Sequence, residues 1–184
     1  HSIGINSIGD KIVVGVPNFD STSNRGRVVV YKWDDSSEQW SQEGSNIPAL
    51  YLGINLNNSR SHVRINKAGN IVAVGEPESV WSSQGGPPNV GLVKVWEWNG
   101  STWVQKGSVL EPSSGDYRFG YELDLSDDGL KLAIGTVNGG YAELFVWNAN
   151  TASYIKDLTA TKWLNNYDIS YGKTVALSGN GDVF

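Results

Sequence analysis

The segments INSIGDKIVVG from Ile5, INKAGNIVAVG from Ile65 and LSDDGLKLAIG from Leu125 superimpose at a spacing of sixty residues without a gap. An internal repeat of this length restricts the chain to architectures in which one supersecondary unit is stacked several times. Each segment is a short alternating strand, a turn at Gly9, Gly69 or Gly129, and an apolar run closed by Gly15, Gly75 or Gly135. That pattern predicts a tight hairpin. A fourth copy begins as LSGNGDVF at Leu177 and is cut inside its second strand.

The repeat continues downstream. GRVVVYKW, GLVKVWEW and GYAELFVW end at Trp33, Trp98 and Trp147 and read as third strands, rich in β-branched and aromatic residues. WSQEG at Trp40, WVQKG at Trp103 and the weaker YIKDL at Tyr154 follow after turn-forming runs and read as fourth strands. Four short antiparallel strands per unit of fifty to sixty residues predict an all-β fold, a β-propeller of four-stranded blades that is incomplete in this chain. The repeats divide into residues 1–58, 59–118 and 119–170, with 171–184 opening a fourth, all within one partial propeller domain. A single blade cannot bury both faces of its sheet, so the blades must stack, and Trp33, Trp98 and Trp147 are expected to fill the space between them.

No run is long enough, or helical enough in period, to predict a substantial helix. No stretch of eighteen apolar residues is present for membrane insertion, and the N-terminus lacks the regions of a signal peptide. His1 at the start, the lack of any Met and the cut fourth repeat suggest a piece of a longer polypeptide, its remaining blades supplied in the same gene product, a second fragment or a symmetric partner.

Phe119-Gly120 at a blade opening, with Gly15-Val16-Pro17 and Gly75-Glu76-Pro77 after second strands, resembles the FG-GAP repeat of integrin alpha-subunit-type propellers. The resemblance spans nearly the whole chain and implies the propeller scaffold rather than an activity. Many repeats of that family carry a calcium loop between the first two strands. The nearest approach here is Asp124, Ser126 and Asp128 before Gly129, but the later acidic position falls near Leu132. Calcium takes six to eight oxygens, so no metal or other cofactor is expected.

Other chemistry is sparse. Without Cys there is no thiolate, and His1 and His62 are the only histidines, His62 reading as a strand-lining residue. The sequons Asn57-Asn58-Ser59 and Asn99-Gly100-Ser101 are candidate glycosylation sites and lie in predicted loops, Asn99 also suiting a tight turn. A net charge of −5, with its 14 basic residues scattered, argues against a nucleic-acid partner.

Chain connectivity places the second-to-third-strand and inter-blade connections on one face, and these are the long ones. Loops on a rigid scaffold are where binding usually resides. Tyr51, Trp81, Tyr117 and Trp163 are aromatic residues there that the repeat does not require, and Asp20, Glu76, Glu78 and Asp116 would make the face acidic. The favoured expectation is a non-enzymatic interaction or assembly module of a surface, extracellular or particle-associated protein. Its partner would be another protein or further blades, bound through the loop face or blade edges. Two alternatives stand beside it. One is a carbohydrate-binding, lectin-like propeller using Trp81 or Trp163; the other is a glycoside-hydrolase-like enzyme using a carboxylate pair such as Glu76 and Asp116.

Overall fold

The computed structural model describes residues 2–16, 26–48, 62–79, 90–112, 118–137, 141–159, 162–163 and 173–182, without the side chains of 162–163. The fold is an incomplete all-β propeller of antiparallel four-stranded blades, with no helix among the described residues. The first blade is β1 (Ser2–Ile5), β2 (Lys11–Val16), β3 (Arg27–Asp34) and β4 (Gln39–Gln42), joined in chain order. A short β5 (Ile47–Pro48) also pairs with β3. The second is β6 (His62–Ile65), β7 (Ile71–Glu76), β8 (Leu92–Trp98) and β9 (Trp103–Gln105). The third is β10 (Glu122–Leu125), β11 (Lys131–Gly135), β12 (Tyr141–Asn148) and β13 (Ser153–Lys156), with β14 (Lys162–Trp163) on β12.

The hairpins form as the glycines require. Gly9, Gly69, Gly129 and Gly181 have φ of 77°, 71°, 70° and 68°, a region that only a residue without Cβ enters freely. Each turn is capped by a side chain at one repeated position. Asn6 Oδ1 accepts from the Lys11 N–H at 2.9 Å, Asn66 Oδ1 from the Ile71 N–H at 2.8 Å, and Ser126 Oγ from the Lys131 N–H at 2.9 Å. These three groups are buried, so the capping satisfies polar atoms that would otherwise be costly.

The supplementary β5 and β14 are not evident from the repeat. The fourth strands pair with only the last part of each third strand, and β5 and β14 pair with its beginning, at Arg27–Val28 and Tyr141–Ala142. In the second blade a single bridge between Val93 and Leu110 takes that place. Without these pairings the upper third strand would be an open edge.

Two apolar clusters lie between the blades. Val13, Val28, Val30 and Ile47 of the first blade pack against Val63, Ile65, Val72 and Val74 of the second. Ile71, Ala73, Val93, Val95 and Leu110 pack against Phe119, Leu123, Leu132, Ile134 and Phe145. Trp98 and Trp147 pack against these clusters at the rim rather than at the centre. Trp33, Trp98 and Trp147 are half-buried, each paired with the fourth-strand aromatic of its own blade: Trp40, Trp103 and Tyr154, at ring separations of 5.5, 5.4 and 5.1 Å. Trp98 lies over Gly44 and Trp147 over Gly107 of the preceding blade, where a Cβ would collide with the indole. The glycines ending WSQEG and WVQKG therefore admit the next blade's tryptophan.

Candidate functional site

The first strands β1, β6 and β10 lie beside one another, while β4, β9 and β13 form the opposite ends of the sheets. Their register makes Ser2, His62 and Glu122 one repeated position, paired with Gly15, Gly75 and Gly135, and Gly4, Arg64 and Asp124 another. These two alternating positions of the strand thus hold a different residue in each blade, while the residues between them, Ile3, Val63 and Leu123, stay apolar.

At these positions the second and third blades meet in a charged cluster. Arg64 donates from Nη2 to Glu122 Oε1 and from Nη1 to the Val63 carbonyl at 3.1 Å. His62 Nδ1 lies 3.9 Å from Glu122 Oε2, and its ring stands 5.0 Å from that of Tyr121. The side chains of His62, Arg64 and Glu122 are 16%, 34% and 19% exposed, shielded enough to strengthen their interactions, and the Nε2 atom of His62 is buried. On the first blade, Ser2 Oγ accepts from the Val63 N–H at 2.9 Å. Asp124 is committed to structure: its carboxylate accepts from the Leu125 N–H at 3.1 Å and the Leu177 N–H at 2.7 Å. His62 and Glu122 stand at the start of β6 and β10, so the cluster lies at that end of the first strands.

The other positions singled out from the sequence fall elsewhere. Tyr51, Asn57, Trp81, Asp116 and Tyr117 lie outside the described residues, as does Asp20. Trp163 belongs to β14, opposite Tyr141. Glu76 is not on an open face: it is 1% exposed at the end of β7, accepting from Ser79 Oγ at 3.2 Å. Buried Lys94 lies on the same sheet face. Burial pushes its ammonium below the ordinary lysine value, and the Glu76 carboxylate opposes that shift. Glu78 pairs with Arg118 at 3.4 Å.

Asn99 forms an exposed turn, its Oδ1 accepting from the Ser101 and Thr102 N–H groups at 3.0 and 2.9 Å. In the loop that approached a calcium pattern, Ser126 caps the hairpin and Asp128 Oδ1 accepts from Ser126 Oγ at 2.6 Å and the Leu130 N–H at 2.9 Å. Burial works to raise the Asp128 pKa, yet these hydrogen bonds carry it below the ordinary value. From the sequence His62 reads as a strand-lining residue, and Arg64, Tyr121 and Glu122 are not among the candidate site residues. The available signal was the substitution pattern Ser/His/Glu and Gly/Arg/Asp one strand before each hairpin.

No family model and no curated protein matches the chain. Solved structures do. A candidate 6-phosphogluconolactonase from Bacteroides uniformis is 12% identical with a TM-score of 0.59, over 98% of this chain and 45% of its own. The Dos1 propeller is 13% identical with a TM-score of 0.59, over 98% and 36%. The periplasmic gluconolactonase of Pseudomonas aeruginosa is 12% identical with a TM-score of 0.54, over 84% and 44%. The chain thus spans less than half the length of these structures, and at such identity the likeness establishes the propeller fold.

Two expectations are corrected. The resemblance to FG-GAP and integrin-type repeats is overturned: no family model matches, and the similar structures are lactonase-type and other propellers. The Phe-Gly pair has a packing reason instead. Phe119 is buried between the second and third blades, and Gly120, at φ 86°, lets the chain pass against Gly75. The expectation of a non-enzymatic interaction module is overturned as well, since the scaffolds that this chain resembles include proteins named as lactonases.

Proposed function

We propose that this chain forms part of a hydrolase that opens lactones of sugar acids, with the reaction at the His62, Arg64 and Glu122 cluster. The observation that carries the reading is the meeting of an imidazole, a guanidinium and a carboxylate on adjacent first strands, at their starting end. The names of the gluconolactonase scaffolds supply the substrate class.

The residues suit such a reaction. Ring opening needs a base to take a proton from water as its oxygen bonds to the lactone carbonyl carbon, and a donor for the negative oxygen that develops. An imidazole flanked by a carboxylate is the ordinary base for this task, because the carboxylate stabilises the imidazolium that forms. His62 holds that position, with Glu122 at its Nδ1 side. Arg64 presents N–H groups in a plane that suits an oxyanion or the carboxylate of the product. As the tetrahedral centre collapses, the ring C–O bond breaks and the proton returns from His62 to the departing ring oxygen, giving the open hydroxy acid. The periplasmic setting of the Pseudomonas gluconolactonase supports a location outside the cytoplasm as part of this proposal.

The test is hydrolysis of glucono-δ-lactone and its 6-phosphate by the full-length gene product, followed by proton release. His62→Ala is expected to lower kcat/KM by about 10²-fold or more with an unchanged Tm. Hydrolysis of both lactones at no more than the spontaneous rate, or a His62→Ala variant as active as the parent, would overturn the reading.

A further inference from the structure

Tyr121 and Glu122 are consecutive, yet both reach His62. Along a strand neighbours point to opposite faces, as Glu122 and Leu123 do: one meets Arg64, the other is 0% exposed in the apolar cluster. Tyr121 escapes that alternation because it precedes β10, in a turn closed by its own N–H donating to the Arg118 carbonyl at 3.2 Å. The turn is pinned on both sides. The Phe119 N–H donates to the Val90 carbonyl at 3.0 Å, and the Gly120 N–H to the Gly135 carbonyl at 3.2 Å. Arg118 holds a φ of 69°, which is costly for a residue with a side chain and persists where surrounding contacts impose it. At the repeat spacing Tyr121 corresponds to Ser61 and His1, so blade packing does not call for a phenol there.

The imidazole needs a second constraint. His62 Nδ1 stands 3.9 Å from Glu122 Oε2, beyond hydrogen-bond range, so the carboxylate attracts the ring without fixing its plane. Glu122 is itself held by Arg64. Tyr121 supplies what is missing, its ring centred 5.0 Å from that of His62 in a stack tilted by 35°.

We infer that Tyr121 is a positioning residue for His62, holding the imidazole plane so that Nδ1–H stays turned toward Glu122 and Nε2 is left as the proton-accepting nitrogen. This rests on the reading of His62 as the base of the proposed reaction. The contribution comes from the aromatic ring and not from the hydroxyl, which separates Tyr121 from a general acid.

The experiment is nitrogen NMR of the full-length gene product labelled at histidine, beside kcat and KM for glucono-δ-lactone. His62→Ala identifies the His62 signal by its loss. Parent and Tyr121→Phe are expected to show a single neutral tautomer of His62, with Nε2 unprotonated, and equal kcat. Tyr121→Ala is expected to show both tautomers, with kcat lowered about 10-fold and KM within about twofold of the parent. Should Tyr121→Ala fail to fold, Tyr121→Leu takes its place with the same expectation. A Tyr121→Ala protein that loses only Tm, keeping the parent's tautomer and kcat, would overturn the positioning role, as would a Tyr121→Phe protein that behaves like it in tautomer or kcat. The tautomer is read without substrate. A parent that hydrolyses no lactone therefore overturns the reading of the reaction, while the NMR comparison alone decides whether Tyr121 orients His62.

Discussion

Replacing Gly75 by alanine tests how closely adjacent blades approach. Gly75 sits in β7 without a positive φ, so alanine meets no conformational penalty there and would gain about 0.4–1 kcal/mol from a stiffer unfolded chain. Against that, a Cβ at this position lies 3.1 Å from the Gly120 carbonyl carbon, 3.3 Å from its Cα, and nearer still to its oxygen. Those are backbone atoms, held by the Gly120 N–H bond to the Gly135 carbonyl and by the buried ring of Phe119. Overpacking of this kind costs about 1–3 kcal/mol, and the upper end applies where no side chain can swing aside.

The net expectation for Gly75→Ala is a loss of about 2 kcal/mol, which lowers Tm by about 4–8 °C in a domain of this size. Gly100→Ala is the matched control. It has open space around the Cβ but a φ of 99°, so it isolates the backbone penalty of about 1–2 kcal/mol without any clash. Thermal unfolding of the three proteins side by side decides the matter. A Gly75→Ala protein as stable as the parent would refute the close approach of β7 to the opening of the third blade.

Two further outcomes are expected. Trp98→Ala removes an indole that spans Gly44 and Trp103, and is expected to cost about 3 kcal/mol by denaturant unfolding; a loss below about 1 kcal/mol would mean that the rim does not hold the joint. Tyr154 donates its hydroxyl to the Gly129 carbonyl at 2.5 Å, and burial, with the Glu97 and Asp128 carboxylates, pushes its pKa above the ordinary 10.0. The folded state therefore keeps this proton longer than the unfolded state does. The stabilisation is complete below pH 10 and fades as pH climbs past it, so the stability gap between parent and Tyr154→Phe is expected to narrow in alkaline titration.

The architecture was legible because the hairpin signal is redundant: a turn glycine, a capping residue and two apolar runs recur together in three blades. Even the Phe119-Gly120 pair was noticed, though its meaning was misassigned. A buried aromatic followed by a glycine at a close backbone crossing is a packing solution open to any propeller, so the pair identifies a joint and not a family. β5 and β14 escaped notice because a two-residue strand carries no periodicity. The charged cluster was harder still. Arg64 and Glu122 are brought together by neighbouring strands 58 residues apart in sequence, and only their contact distinguishes them from solvated strand residues. Glu76, by contrast, sits beside a proline in a sequence that reads as loop, yet the last pairing of β7 with Leu92 draws it into the interior.

The polar bonds that tie one blade to the next span about one repeat of chain: 58 from Lys11 to Gly69, 60 from Trp103 to Glu43, 61 from Asn66 to Asp127, and 50 from Lys131 to Gly181. Among the described residues none reaches back two units. On a ribosome that adds about 5–20 residues per second, a unit of sixty emerges every 3–12 s or so, and the surface awaiting it is always the one most recently completed. Synthesis can then proceed by accretion, each blade closing the exposed flank of its predecessor before the next leaves the exit tunnel. Such a chain can lengthen in evolution by whole units without rewriting any earlier joint.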